Sequence, residues 1–371
     1  MIPVFKPSLS KKEIRAVIET LKSGWWGSGP KAEEFEKKFA DFIGVKNAVA
    51  LNSCTAALHL TGKLLGLKKG DEVITTPLTF ISTAYIADYC DAKIVFADVD
   101  ENTLNIDPED IKKKISKKTK VIVPVHFGGY ACEMDEIMKI ANKNKIYVVE
   151  DCAHATGGEY RGKKLGSFGT ISCFSFQAVK NLAIGDGGML LTNNDDFAKR
   201  AKWLRWTGIN KETASRTKED RYSWEYDIVE VGYKFQMPDI LAAIGMVQLE
   251  RIKELNGRRR EITNMYNDAF SRIDWVELRE EKPYINSANH NYVIKIDKDR
   301  EKFMQYMKSK GISTGVHYKP LYLQTVYKWA RKKANCPITD KVWKKLVTLP
   351  LYPDMTDREV NLVVDAVKKF D

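Results

Sequence analysis

Through the first two-thirds of this 371-residue chain, short runs rich in β-branched residues alternate with longer amphipathic stretches. The runs are Ala48 to Leu51, Glu72 to Thr75, Lys93 to Ala97, Val121 to Val125, Ile146 to Glu150, Ile171 to Phe176 and Met189 to Thr192. Helical periodicity fills several intervals, as at Lys11 to Leu21, Lys31 to Phe42, Pro108 to Ile115 and Met134 to Asn144. Alternation of this kind calls for right-handed crossovers and a mostly parallel sheet covered on both faces, here of seven strands. Ligands of such sheets sit beyond the carboxyl ends of the strands, so residues just after a strand are the first candidates for chemistry.

From Asp239 the pattern changes to a long helical stretch, Ile240 to Ser271, then a strand-like Tyr292 to Ile296, a helix from Glu301 to Lys310 and a last helix from Asp357 to Phe370. The expected organisation is a large α/β domain, residues 1–240, and a smaller α+β C-terminal domain, residues 241–371, on which the N-terminal segment could pack. A content of 44% hydrophobic and 29% charged residues excludes a disordered or collagen-like chain and a disulfide-stapled miniprotein. The excess of 60 basic over 49 acidic residues, a net +11, favours anionic partners without choosing among them. No zinc-finger spacing, aromatic RNA-binding motif or helix-turn-helix is visible, so nucleic acid is not an expected partner. The six cysteines have neither CxxC pairing nor metal-like spacing and read as reduced, mostly buried thiols, with no metal site. No apolar run reaches the roughly 18 residues that span a bilayer, and the start lacks a signal-peptide core. The expectation is a soluble cytoplasmic protein without a membrane partner.

Three segments could carry chemistry. Val49 to His59 passes from a strand through Asn52-Ser53-Cys54-Thr55 into a helix, whose free N–H groups suit a phosphate; alternatively Ser53 or Thr55 merely caps the helix. In Val148-Val149-Glu150-Asp151-Cys152-Ala153-His154 a carboxylate directly after a strand could hold a protonated heterocyclic nitrogen, or cap the next turn. Lys180, between the strand ending Ser175-Phe176 and the turn Gly185-Asp186-Gly187-Gly188, could be a desolvated, nucleophilic amine or a solvated surface lysine. Together the three supply what pyridoxal phosphate requires: donors for the phosphate, an acid partner for the ring nitrogen and an amine for the aldehyde.

These segments, with Gly29-Pro30-Lys31, Gly70-Asp71-Glu72-Val73-Ile74, Pro124-Val125-His126, Gly187-Gly188-Met189 and Thr314-Gly315-Val316-His317-Tyr318, resemble the DegT/DnrJ/EryC1/StrS family of pyridoxal-phosphate sugar aminotransferases across nearly the whole chain. The resemblance implies a fold type I transferase and a homodimer with shared active sites. It implies that Lys180 forms the internal aldimine and shuttles protons, that Asp151 pairs with the ring nitrogen, that Phe80 stacks on the ring, and that His154 bonds ring substituents or orients substrate. The backbone of Cys54, Thr55 and Ala56 and the hydroxyl of Ser175 would hold the phosphate, and Trp25, His317 and Tyr318 would face the sugar. Where the family often carries an asparagine donated to the neighbouring subunit's phosphate, this chain has Lys234 and Gln236; where Ala usually follows Glu-Asp, it has Cys152.

The implied reaction moves an amino group from L-glutamate, through pyridoxamine 5'-phosphate and with release of 2-oxoglutarate, to a nucleotide-diphosphate keto sugar. The stretch Gly24 to Pro30 and the basic block Arg258-Arg259-Arg260 resemble C4-aminating members, so a 4-keto-6-deoxyhexose or 4-keto pentose is expected, with a role in amino sugar, glycan or lipopolysaccharide biosynthesis. The alternatives are a 3-keto sugar or inosose acceptor, or a non-catalytic, cofactor-binding regulatory homologue. Sugar dehydratases of the family place histidine where this chain has Lys180, which argues against that branch.

Overall fold

A computed structural model describes residues 1–210 and 225–370 of the chain. Its centre is a seven-stranded sheet made of β1 (Asn47–Leu51), β2 (Glu72–Thr75), β3 (Lys93–Phe96), β4 (Thr119–Val123), β5 (Tyr147–Asp151), β8 (Ile171–Ser175) and β9 (Gly188–Thr192). The strand order is β1-β9-β8-β5-β4-β2-β3, and β9 alone runs against the others. Between β5 and β8 lie the two-residue strands β6 (Glu159–Tyr160) and β7 (Lys163–Lys164), too short for the sequence pattern to reveal. β4 begins and ends two residues earlier than its apolar run suggests, since Pro124, the next residue, has no N–H for the ladder.

The strands are mostly apolar and buried because the sheet is covered on both sides. Alternate residues feed two cores: Ala48, Ala50, Phe174, Met189 and Leu191 meet one, while Val49, Leu51, Cys173 and Leu190 meet the other. The first core is closed by α2 (Pro30–Ile43) and the second by α3 (Cys54–Leu64) and α4 (Ser82–Asp88). All six cysteines are buried and unpaired.

The helix Asp239–Phe270, at about 1.5 Å per residue some 48 Å long, ties both lobes together. Its early residues Ala242, Met246 and Ile252 join the first core, and its later ones Ile262, Tyr266 and Phe270 join the C-terminal core. Its first residue, Asp239, accepts from the backbone N–H groups of Gly29, Lys31 and Ala32 at 2.8–3.0 Å, capping α2, whose own N-cap is a glycine. Strands β10 (Val276–Glu277), β12 (Tyr292–Ile296) and β13 (Leu346–Leu349) form the small antiparallel sheet; β11 (Ile285–Asn286) pairs with β6. Ile2 bridges to Ile312, so the N-terminal segment lies on the C-terminal lobe. Among the described residues no helix is long and apolar enough to cross a membrane.

Candidate active site

The segments that leave the carboxyl ends of β1, β2, β5 and β8 enclose a cavity of about 470 Å³, roofed by Phe5 and by His317 and Tyr318 of the C-terminal lobe. Nine predicted residues line it: Cys54, Thr55, Phe80, Asp151, His154, Ser175, Lys180, His317 and Tyr318. Its volume falls within the range of small-molecule sites.

At one end stands the start of α3. Ser53 caps this helix by accepting from the Ala56 N–H at 3.1 Å, so that donor is already engaged. The N–H groups of Cys54 and Thr55, in the first turn, have no partner within the helix and are suited to an anion. The two readings of the segment are therefore compatible: Ser53 caps the helix, and the N–H groups of its two successors remain available to an anion. Gly188 on β9 is pressed against this turn: a Cβ there would lie 2.4 Å from the Ser53 carbonyl carbon and 2.5 Å from the Cys54 nitrogen. Only glycine leaves the cradle its shape. The Thr55 hydroxyl is 2.7 Å from that of Ser82, and Ser175 Oγ accepts a long bond from the Gln177 N–H at 3.4 Å.

Asp151 ends β5 and is 3% exposed. One carboxylate oxygen accepts from the Thr83 hydroxyl at 2.7 Å and the other from the Ala153 N–H at 3.0 Å. Because Thr83 spends its proton on Asp151, its oxygen is left to accept from Thr79, 2.8 Å away. Burial raises the Asp151 pKa, against those donors and the Lys180 charge. A carboxyl in that condition is stabilised as an anion by any cation brought beside it. Thr83 escaped the sequence reading, since 68 residues separate it from Asp151.

Lys180 sits on a turn held by its own N–H to the Gln177 carbonyl at 2.8 Å and by Ala178 N–H to the Gly185 carbonyl at 2.9 Å, with Gly185 at φ +103°. Burial lowers its amine pKa to about 8, opposed by the nearby Cys54 and Asp151. A much larger fraction is thus a free nucleophile near neutrality than in a solvated lysine. Phe80, 59% exposed, presents its ring to the cavity. Amine, buried carboxylate, helix-start donors and exposed aromatic face are the parts that pyridoxal phosphate needs, and the residues present fit it.

His154 lies opposite, its Nε2 3.1 Å from the Tyr318 hydroxyl, and His317 Nδ1 is 2.7 Å from Thr348 Oγ1. Burial first, then the Lys180 charge, pushes His154 well below the usual imidazole range and His317 down to about 4. Both rings are neutral at physiological pH.

Three predicted residues lie away from this chain's own cavity. Trp25 packs on Gly29, where a Cβ would overlap its indole nitrogen. The Lys234 ammonium sits 3.4 Å from the centroid of the Trp206 ring and 3.4 Å from Gln236 Oε1. Gln236 bridges to Leu51 at the end of β1, and nearby Ile228 and Val231 are exposed. Among the described residues, His126, Glu150 and Cys152 are grouped tightly enough to suggest a metal. However, Glu150 accepts from the N–H groups of Gly166, Phe168 and Gly169, and His126 Nδ1 accepts from the Cys132 N–H. That leaves His126 Nε2–H to donate to Glu150, and the cluster reads as a structural lock beneath Asp151.

Known proteins share the fold and much of the sequence. The model of the DegT/DnrJ/EryC1/StrS aminotransferase family matches residues 7–368. The spore coat polysaccharide biosynthesis protein SpsC of Bacillus subtilis is 41% identical, over 99% of this chain and 96% of its own length. The solved structure of the sugar aminotransferase CalS13 from Micromonospora echinospora superposes with a TM-score of 0.91 at 34% identity, covering 99% of each chain. Spr1654 of Streptococcus pneumoniae in its PMP form superposes with a TM-score of 0.94 at 31% identity, covering 99% of this chain and 98% of its own.

Proposed function

This chain belongs to the DegT/DnrJ/EryC1/StrS aminotransferase family and is a pyridoxal-phosphate-dependent sugar aminotransferase of fold type I, and we propose that it moves an amino group from L-glutamate to a nucleotide-linked 4-keto sugar. The acceptor is a 4-keto-6-deoxyhexose or 4-keto pentose. When bound, pyridoxal phosphate supplies an aldehyde that carries the amino group between donor and acceptor and a protonated ring that takes up the electron pair left at the substrate carbon.

The side chains divide the remaining work. Lys180 would hold the aldehyde between turnovers and, once its amine is released, Nζ would carry the proton between the substrate carbon and the aldehyde carbon of the cofactor; such general acid–base transfer contributes about 10² to 10⁴-fold. Asp151, oriented by Thr83, keeps the ring nitrogen protonated. The N–H groups of Cys54 and Thr55, with the Ser175 hydroxyl, hold the phosphate, and Phe80 covers one ring face. His154 orients the ring or substrate as a neutral hydrogen-bonding group. His317 and Tyr318 face the sugar. A second copy of the chain completes the site, with Lys234 or Gln236 donating to the neighbour's phosphate and Trp25 reaching its sugar, in keeping with their place outside their own cavity.

The convergence of the Lys180 amine, the buried Asp151 carboxylate and the α3 start on one cavity carries this reading. Its test is the visible spectrum of purified holoprotein: glutamate should remove the aldehyde absorbance, and a 4-keto nucleotide sugar should restore it. Restoration by a 3-keto sugar or inosose alone would move the acceptor assignment; no response to glutamate would leave a regulatory cofactor-binding protein.

A further inference from the structure

A second imidazole stands behind His154, outside the cavity. The His290 ring stacks on that of His154 with centroids 4.4 Å apart and planes 26° apart, and also stacks with Phe5 at 5.5 Å and 4°. His290 is 2% exposed and does not line the cavity. Its orientation is determined by its neighbours. Asn181 Nδ2 donates to Asn256 Oδ1 at 2.8 Å and to the Ala288 carbonyl at 2.7 Å, so the Asn181 oxygen is the atom facing His290. His290 Nδ1, 3.0 Å from that oxygen, must carry the proton. Asn256 is fixed in turn by donating to the Thr156 carbonyl at 2.9 Å, beside Gly157, where a Cβ would come within 2.6 Å of the amide nitrogen.

The tautomer of His154 follows by the same logic. Its Nδ1 accepts from the Gly128 N–H, so Nε2 carries the proton and donates to the Tyr318 oxygen. The Tyr318 proton is then left for an acceptor in the cavity. At 3.4 Å the Gly128 contact is a long hydrogen bond. With so long a contact at Nδ1, the imidazole keeps freedom to turn about its Cβ–Cγ bond. The stacked ring of His290 removes that freedom.

We propose that His290 is a positioning residue: by stacking on His154 it fixes the plane of that ring and, through it, the direction in which the Tyr318 hydroxyl donates to the sugar. This rests on the proposed place of His154 and Tyr318 in the site. His290→Phe keeps a flat ring against Phe5 and His154 while losing the bond to Asn181, whereas His290→Leu loses the flat ring as well. In ¹⁵N-edited spectra of the apoprotein, His154 should show the Nε2–H tautomer in the wild type and in His290→Phe, and a mixture in His290→Leu. In stopped-flow half-reactions of the holoprotein, His290→Leu should slow amination of the keto sugar by on the order of tenfold, the scale of lost orientation in supporting residues, while the glutamate half-reaction stays at the wild-type rate. His290→Phe should keep both rates. The proposal is overturned if His290→Leu leaves the sugar half-reaction unchanged, if it slows both half-reactions equally, or if His290→Phe loses as much as His290→Leu. Should His290→Leu fail to fold, the wild-type tautomer and His290→Phe decide alone, and an Nδ1–H tautomer at His154 contradicts the argument. Failure of the parent reading looks different: the wild type itself would not respond to glutamate.

Discussion

The strand ends at Asp151 and Lys180 and the surface segment at Ile228 to Gln236 are two polar regions built on opposite terms. At the strand ends the chain itself fixes the groups: the buried Asp151 accepts two hydrogen bonds, Thr83 is aligned by Thr79, and the turn carrying the half-buried Lys180 is closed by backbone bonds. On the surface segment Lys234 rests on an indole, the Gln236 side-chain oxygen lies 3.4 Å from Lys234, and Val231 is 89% exposed. The first region can do chemistry within one chain because its geometry is fixed in advance. In the second, Glu230 is paired with Arg200 but the Lys234 and Gln236 side chains are held loosely, and the proposed function brings the second copy to these two and not to the strand ends.

If that contrast is right, substitutions at the strand ends should abolish or cripple turnover while surface changes act through assembly. The largest effect is expected for Lys180→Ala: a loss of at least the 10² to 10⁴-fold typical of a placed acid–base group, with an unaltered melting transition of the apoprotein. Near-normal transamination would break the assignment. Next comes Asp151→Asn, which keeps the shape and the Thr83 contact but removes the charge; turnover should fall by about 10²-fold or more, and the absorbance should show an unprotonated ring. Thr83→Val should cost about tenfold in turnover, since a buried hydrogen bond to a charged group contributes on the order of 1.5–3 kcal/mol, with cofactor still bound. Unchanged rates there would mean that Asp151 needs no second orienting partner. The smallest effects belong to the surface: Lys234→Ala and Gln236→Ala should each weaken cofactor retention a few-fold, read by equilibrium dialysis, the larger change marking the residue that reaches the neighbour. A change in neither would remove both from the shared site.

A pH profile separates the regions further. A solvated lysine loses its proton near 10.4, whereas burial brings Lys180 to about 8. Reaction of apoprotein with pyridoxal phosphate needs the unprotonated amine, so the attachment rate should rise with pH and level off above about 8. An inflection two units higher would place the reactive amine on the surface.

Much of this was legible in the sequence for a specific reason. Strands covered on both faces are written as continuous apolar runs, and Met189 to Thr192 could hardly be anything else. Asp151 could be picked out because it comes at the end of an apolar run, and Lys180 because it lies between a strand and a glycine-rich turn. What could not be read was contact between distant segments. Thr83 looks like any helical threonine, Phe5 reaches the cavity from the chain start, and His290 precedes a small-lobe strand with nothing local to show that it meets His154. Ser53 shows the other limit: the segment allowed a cap or a phosphate site, and the bond to Ala56 shows the cap while leaving the N–H groups of Cys54 and Thr55 for the proposed phosphate.

The central claim is that the amine at the end of the β8 turn is the one that holds the cofactor. Reducing the holoprotein with borohydride and mapping the fixed pyridoxyl group by peptide mass spectrometry tests it directly. The account predicts a single modified peptide containing Lys180; a label on any other lysine, or none, contradicts it.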